Sequence, residues 1–187
     1  MTVYISLLRG INVGGNNLVK MEALRALYEK LKFRDVVSYV QSGNVVFRAA
    51  ETDRARIAGK IEDAIERTFG HRPPVILRTT AELRDVVARN PFAGRAGIEP
   101  GKLAVTFLAG EASDEARVKL EGLPKTAEEM HLHRCELFTY FPNGMGKSKL
   151  SLPAVDRALK VAGTARNWNT VSKLLAIAEG LEKDGVS

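Results

Sequence analysis

Cysteine is nearly absent: Cys135 stands alone in 187 residues, so no intrachain disulfide can form and packing must hold the fold. A lone cysteine suits a reducing compartment, and a cytoplasmic location is expected. Long apolar runs are missing too. No stretch approaches the roughly 18 residues that a membrane span requires, so no membrane partner is expected. The start, Met1 to Arg9, has no charged region leading into an apolar run and a small-residue cleavage site, and no signal peptide is expected. Two phosphate-binding signatures are also absent. Gly10, Gly14 and Gly15 do not have the G-x-G-x-x-G spacing of a dinucleotide site. Gly146-Lys147-Ser148 matches the end of a P-loop, but Phe141 stands where its first glycine should be, which argues against an NTPase.

What is present is ordinary for a globular protein: 45% hydrophobic and 27% charged residues, enough for a core without stapling. The length is compatible with one or two domains. The net charge is +6, and the excess is uneven. Residues 1–78 carry 13 bases against 8 acids, and residues 79–187 carry 15 against 14. Residues 140–174 hold Lys147, Lys149, Arg157, Lys160, Arg166 and Lys173 with Asp156 as their one acid. Such a zone invites an anionic partner, although a soluble basic surface has the same composition.

Periodicity gives the element order. Thr2–Leu8 alternates as a strand, with Val3, Ile5 and Leu7 on one face. After the loop Gly10–Asn17, the residues Met21, Leu24, Leu27, Tyr28 and Leu31 form a helical stripe. Asp35–Gln41 and Asn44–Arg48 flank Ser42-Gly43 as a hairpin. Residues 53–69 return to helix, Pro73-Pro74 ends it, and Val75–Arg78 is a last strand. This β-α-β-β-α-β order is the ferredoxin-like pattern. A helix over 81–89 and a Pro/Gly connector over 91–101 follow. The order then returns with strand 102–108, helix 113–121, strands 128–133 and 136–141, and helix 152–162. A final helix over 169–181 has Val171, Leu174, Leu175, Ala178 and Leu181 on its inner stripe. The expected fold is α+β, two tandem ferredoxin-like (split βαβ) halves with an extra C-terminal helix. Residues 1–79 form the first domain, 80–101 a helix and connector, and 102–187 the second domain. No sequence repeat links the halves.

Three stretches carry a family resemblance. They are Leu8-Arg9-Gly10-Ile11-Asn12-Val13-Gly14-Gly15, then Ser38-Tyr39-Val40-Gln41-Ser42-Gly43-Asn44-Val45-Val46-Phe47, and Thr164-Ala165-Arg166-Asn167-Trp168-Asn169-Thr170-Val171 followed by Lys173-Leu174. Together they resemble the domain of unknown function 1697 family. Lys32 stands where the resemblance would put a glycine after the first helix. The resemblance implies tandem ferredoxin-like domains and assigns no reaction, cofactor or catalytic residue.

Five segments are candidates for chemistry or ligand contact. In the Arg9–Asn17 loop, glycines can turn backbone N–H groups together ahead of a helix N-terminus, with Arg9 and Lys20 as cations and Asn12, Gly14 and Gly15 lining it. The alternative is a tight connection whose asparagines bond their own backbone. Lys147 and Lys149 sit in a second basic loop, as an anion contact or a solvated turn. Around the sole tryptophan, Arg166, Asn167, Trp168, Asn169 and Lys173 combine a stacking ring with cations. The structural alternative makes Asn169 an N-cap and Trp168 a packing residue. Gln41-Ser42-Gly43-Asn44 reads as a turn, since no histidine near Ser42 marks a nucleophile. Glu129, His131, His133 and Cys135 alternate as zinc ligands on a strand can, but Met130 and Leu132 make this an ordinary amphipathic strand. No metal site and no cofactor are expected.

Three function classes follow. The first is binding of nucleic acid or a small phosphorylated ligand. It draws on the basic charge, on the element order shared with RNA-recognition motifs, and on Val3–Leu8, which partly resembles their aromatic first strand. Residues 42–48 lack the second signature of such motifs, leaving Phe47 alone. The second is an enzyme or sensor for an anionic metabolite, with Arg9, Lys149, Arg166 and Lys173 gathered at a seam of the halves. No carboxylate pair or paired histidine near these loops supplies acid–base chemistry, so catalytic residues stay unassigned. The third is an interaction scaffold, with self-association open to it through sheet edges.

Overall fold

The computed structural model describes residues 1–15 and 17–184; Asn16, part of the first candidate loop, lies outside the described residues. The chain is α+β, and its described residues form two four-stranded antiparallel sheets and six α-helices. It divides into two compact units. One comprises Met1–Asp85 with the segment from Ser172, and the other Val86–Val171.

In the first unit, β1 (Thr2–Leu8), α1 (Met21–Lys30), β2 (Arg34–Tyr39), β3 (Asn44–Ala49), α2 (Arg54–Phe69) and β4 (Val75–Thr79) build a sheet of order β2-β3-β1-β4. Strand alternation sends Tyr4, Leu8, Val45, Phe47 and Leu77 into one core with Leu24, Tyr28, Ile57 and Ile61 from the two helices. Ser6 also faces inward, and its hydroxyl meets the Tyr28 hydroxyl at 2.7 Å. Burial pushes the Tyr28 phenol well above its ordinary range, against the opposing effect of that hydrogen bond. The opposite face is equally apolar: Val3, Ile5, Leu7, Val46 and Ile76 are all buried. The C-terminal helix belongs to this unit from Ser172 on, and the Arg48 guanidinium, on that second face, donates to the Leu181 carbonyl.

The second unit repeats the plan with β5 (Leu103–Leu108), α4 (Asp114–Glu121), β6 (Glu129–His133), β7 (Glu136–Tyr140), α5 (Leu152–Leu159) and β8 (Gly163–Asn167), in the order β6-β7-β5-β8. Leu108, Leu120, Leu137, Val155 and Leu159 form the core on the helix side. On the other side, Val105, Phe107 and Phe138 are buried, and the segment after residue 88 lies across it as a strap. Phe92 packs edge-on to His131 at 5.2 Å and against Tyr140 at 5.7 Å. Tyr140 Oη donates to the Gly97 carbonyl. Arg95 forks onto both oxygens of Glu129 at 2.8 and 3.0 Å.

The sequence pattern assigned no element to residues 163–167, yet β8 is there. Its buried face is Thr164 and Arg166 rather than an aliphatic pair, so hydrophobic alternation could not reveal it. β8 matches β4: Arg78 pairs with Ile5 and Arg166 with Val105, each arginine donating to the carbonyl of the residue before it. Each of these strands passes straight into a helix, β4 into α3 (Thr80–Ala88) and β8 into α6 (Trp168–Asp184). A reciprocal Thr79–Glu82 capping box starts α3. At α6 the Asn167 side chain accepts from the Asn169 N–H, so the cap is Asn167 and not the expected Asn169.

Backbone conformation marks two positions. Gly43 has φ +72°, and a Cβ there would meet Leu8 Cβ at 3.0 Å and Ile11 Cβ at 3.1 Å. Lys32 holds φ +68° just past α1, the left-handed conformation a glycine would take freely. In urea denaturation, Gly43→Ala should lose roughly 1–3 kcal/mol and Lys32→Gly should gain about 0.5–1 kcal/mol. Arg95, then His131, hold the Glu129 carboxyl down to about 2. A depressed carboxylate stabilises above its unfolded pKa and loses that contribution as pH falls through the folded value. The Tm deficit of Glu129→Gln should therefore be present at pH 7 and vanish near pH 2. Because the pair is well exposed, it should correspond to no more than about 1 kcal/mol.

Candidate functional site

After β1 the chain leaves the sheet in a loop that ends at Lys20. Its root is held from two sides: the Leu8 N–H donates to the Gly43 carbonyl and the Arg9 N–H to the Pro74 carbonyl, both at 3.0 Å. Ile11 and Val19 are buried in the helix-side core and anchor its underside. Between them Asn12, at φ +54°, works as a clasp. Its Oδ1 accepts from the Val19 N–H at 2.7 Å, while Nδ2 donates to the Val19 carbonyl at 3.0 Å and the Gln41 carbonyl at 2.7 Å. Asn17 Nδ2 donates to the Gly10 carbonyl at 3.1 Å. Gly10, Gly14 and Gly15 all have positive φ with open space around the Cβ position.

The clasp joins two segments that are separate in the sequence. Hairpin residues 41–44 close against the loop at Gly43, and Asn44 Nδ2 donates to the Tyr39 carbonyl at 3.0 Å and Ser42 Oγ at 2.9 Å. Loop and hairpin tip thus make one polar cluster. Arg9 is half-buried at its root and Lys20 exposed at its far end. Lys20 is the N-cap position of α1 and makes no side-chain capping bond, so the first N–H groups of that helix take no cap from it. Residues 9–20 and 36–48 contain no carboxylate.

The remaining predicted residues lie in other surroundings. Lys147 and Lys149 are exposed around the short turn Met145–Lys147. Burial pushes the Glu128 carboxyl up, but hydrogen bonds from Thr126, Ser148 and the Lys149 backbone outweigh it and leave the group lowered. Arg166 is only 7% exposed. It donates to Thr164 Oγ1 at 2.7 Å and the Ala165 carbonyl at 2.8 Å, and burial pushes its guanidinium down to about 10. Asn167 Nδ2 donates to the Gly101 carbonyl at 2.8 Å. Trp168 is half-buried with its ring 6.5 Å from that of Phe138, and Asn169 and Lys173 are exposed.

Along β6, Glu129 accepts from Arg95 and lies 2.7 Å from His131 Nε2, while His133 bonds Arg89. A cleft of about 240 Å³ beside that strand is lined by Leu120 and Met130 with Glu121, Glu128, Glu129 and Lys125, so acids outnumber the cation there. Tyr4 and Phe47 would have to stand on an open sheet face to stack bases. They are instead 2% and 0% exposed, in the core beneath α1 and α2, which corrects the resemblance of Val3–Leu8 to an aromatic nucleic-acid-binding strand.

Comparison with known proteins agrees with this architecture. The conserved bacterial protein SP0830 from Streptococcus pneumoniae superposes with a TM-score of 0.73 at 24% identity, covering 96% of this chain and 99% of that one. At that identity the likeness speaks to the fold alone. No curated protein matches the chain. The model of the family described as protein of unknown function (DUF1697) matches residues 1–138, a span that includes both segments joined by Asn12, and the chain belongs to that family.

Proposed function

We propose that this protein is a pair of ferredoxin-like domains that binds a phosphate-bearing ligand through the loop cluster of residues 9–20 and 41–44. The strand orders β2-β3-β1-β4 and β6-β7-β5-β8 support the ferredoxin-like assignment, with the first domain within residues 1–79 and the second starting at residue 102. The observation that carries the binding reading is the clasp. Asn12 draws a glycine-rich loop and a hairpin tip into one cluster, whose cations, Arg9 and Lys20, have no carboxylate within either segment. Left-handed glycines leave backbone N–H groups available to an anion, and the α1 N-terminus adds a partial positive charge. The sheet faces do not compete for this role, because their apolar residues are buried. Two of the three stretches that carry the family resemblance meet at this cluster.

Fluorescence anisotropy tests the reading, with labelled short single-stranded RNA and DNA at several salt concentrations and pyrophosphate as competitor. Affinity should fall steeply with salt. Arg9→Ala and Lys20→Ala should each weaken it about 3- to 10-fold and flatten the slope. Traces that stay flat at low salt, with no effect of pyrophosphate, would refute it.

A further inference from the structure

The Asn12 clasp has a second consequence. Asn12 and each of its two bonding partners adjoin an exposed aliphatic side chain: Val13 follows Asn12, Leu18 precedes Val19, and Val40 precedes Gln41. Their exposures are 62%, 72% and 47%, whereas Ile11 and Val19 on the underside are 1% and 3% exposed. The clasp thus turns one set of aliphatics into the core and the other out to solvent. Val40 is held at φ +50°, a backbone region that β-branched residues seldom occupy. Val40 of the outward trio therefore stands on a conformation that local preference opposes.

From this geometry we infer that the trio, with Arg9 and Lys20, is a knob that docks on an anionic phospholipid surface. The inference rests on the phosphate-binding reading above and names the source of the phosphate. Charge complementarity supports it, since cations and aliphatics share the knob and residues 9–20 and 36–48 carry no acid. Aliphatic tips reach the acyl boundary while flanking Lys and Arg meet headgroup phosphates. A single-stranded nucleic acid would find phosphate contacts here but no rings to stack its bases, since those of β1 and β3, Tyr4 and Phe47, are in the core. The second unit has a loop of similar make-up, with Met145 48% and Leu152 60% exposed beside exposed Lys147 and Lys149. Among the described residues no helix is long and apolar enough to cross a membrane, and resting on a surface needs none.

Co-sedimentation of the full chain with vesicles tests the inference. Phosphatidylglycerol-containing vesicles are compared with pure phosphatidylcholine vesicles, and the RNA anisotropy assay is run in parallel. The expected result is sedimentation with the anionic vesicles alone. Leu18→Ser should reduce it about tenfold, whereas Leu18→Met should retain it. Leu152→Ser reads the second loop by itself, and both serine variants should melt cooperatively because the sites are exposed. If RNA binds while anionic vesicles do not, or if Leu18→Ser sediments like the wild type, the lipid surface is refuted and the phosphate reading stands. If neither vesicles nor soluble phosphates bind, both fall.

Discussion

Each sheet carries apolar side chains on both faces, so each needs cover on two sides. Helices α1 and α2, or α4 and α5, supply the first layer in the usual way for an α+β unit. The second layer comes from segments outside the β-α-β-β-α-β core. In the first unit the C-terminal helix reaches the far face, where Arg48 donates to Leu181. In the second unit, Phe92 and Arg95 of the strap lie over His131, Tyr140 and Glu129. Without a second layer, Val3, Ile5 and Leu7, or Val105, Phe107 and Phe138, would face water as contiguous apolar patches.

That need for double cover shapes what the molecule can bind. A four-stranded sheet with an open face offers a platform for flat ligands, but here the aromatic rings of the central strands are spent on packing. Chemistry is left to the strand ends, where loops leave the sheet. The loop after β1 has the features a binding segment requires: it is anchored below by Ile11 and Val19, cross-tied by Asn12, and open above around its glycines.

The elements with clean periodicity were legible. β1 reads as a strand because all its residues after Thr2 are buried and alternate between two apolar faces, and the α1 and α2 stripes match the buried Leu24, Tyr28, Ile57 and Ile61. β8 was not legible, because a strand buried through Thr164 and Arg166 has no hydrophobic signature. The cap of α6 was placed two residues late for the same reason: residues 163–167 were not seen as strand, so the helix had no visible starting edge. The Arg9–Asn17 loop stood out by composition, but its meeting with residues 41–44 did not. That contact depends on one asparagine side chain reaching a carbonyl 29 residues away, which no local pattern encodes.

The transitions at Thr79–Thr80 and Asn167–Trp168 have no intervening residue: a strand ends and a helix begins at the next position. The helix phase is therefore geared to the strand, as if both were cut from one shaft. A single residue inserted at either joint would rotate the whole following helix by about 100° and turn Leu83 or Leu174, each 1% exposed, away from its seat. Lengthening the hairpin at residues 40–43 would leave every helix in phase. Length variation should therefore be tolerated unevenly along this chain, allowed at the loops that leave the sheet and refused at the two gears.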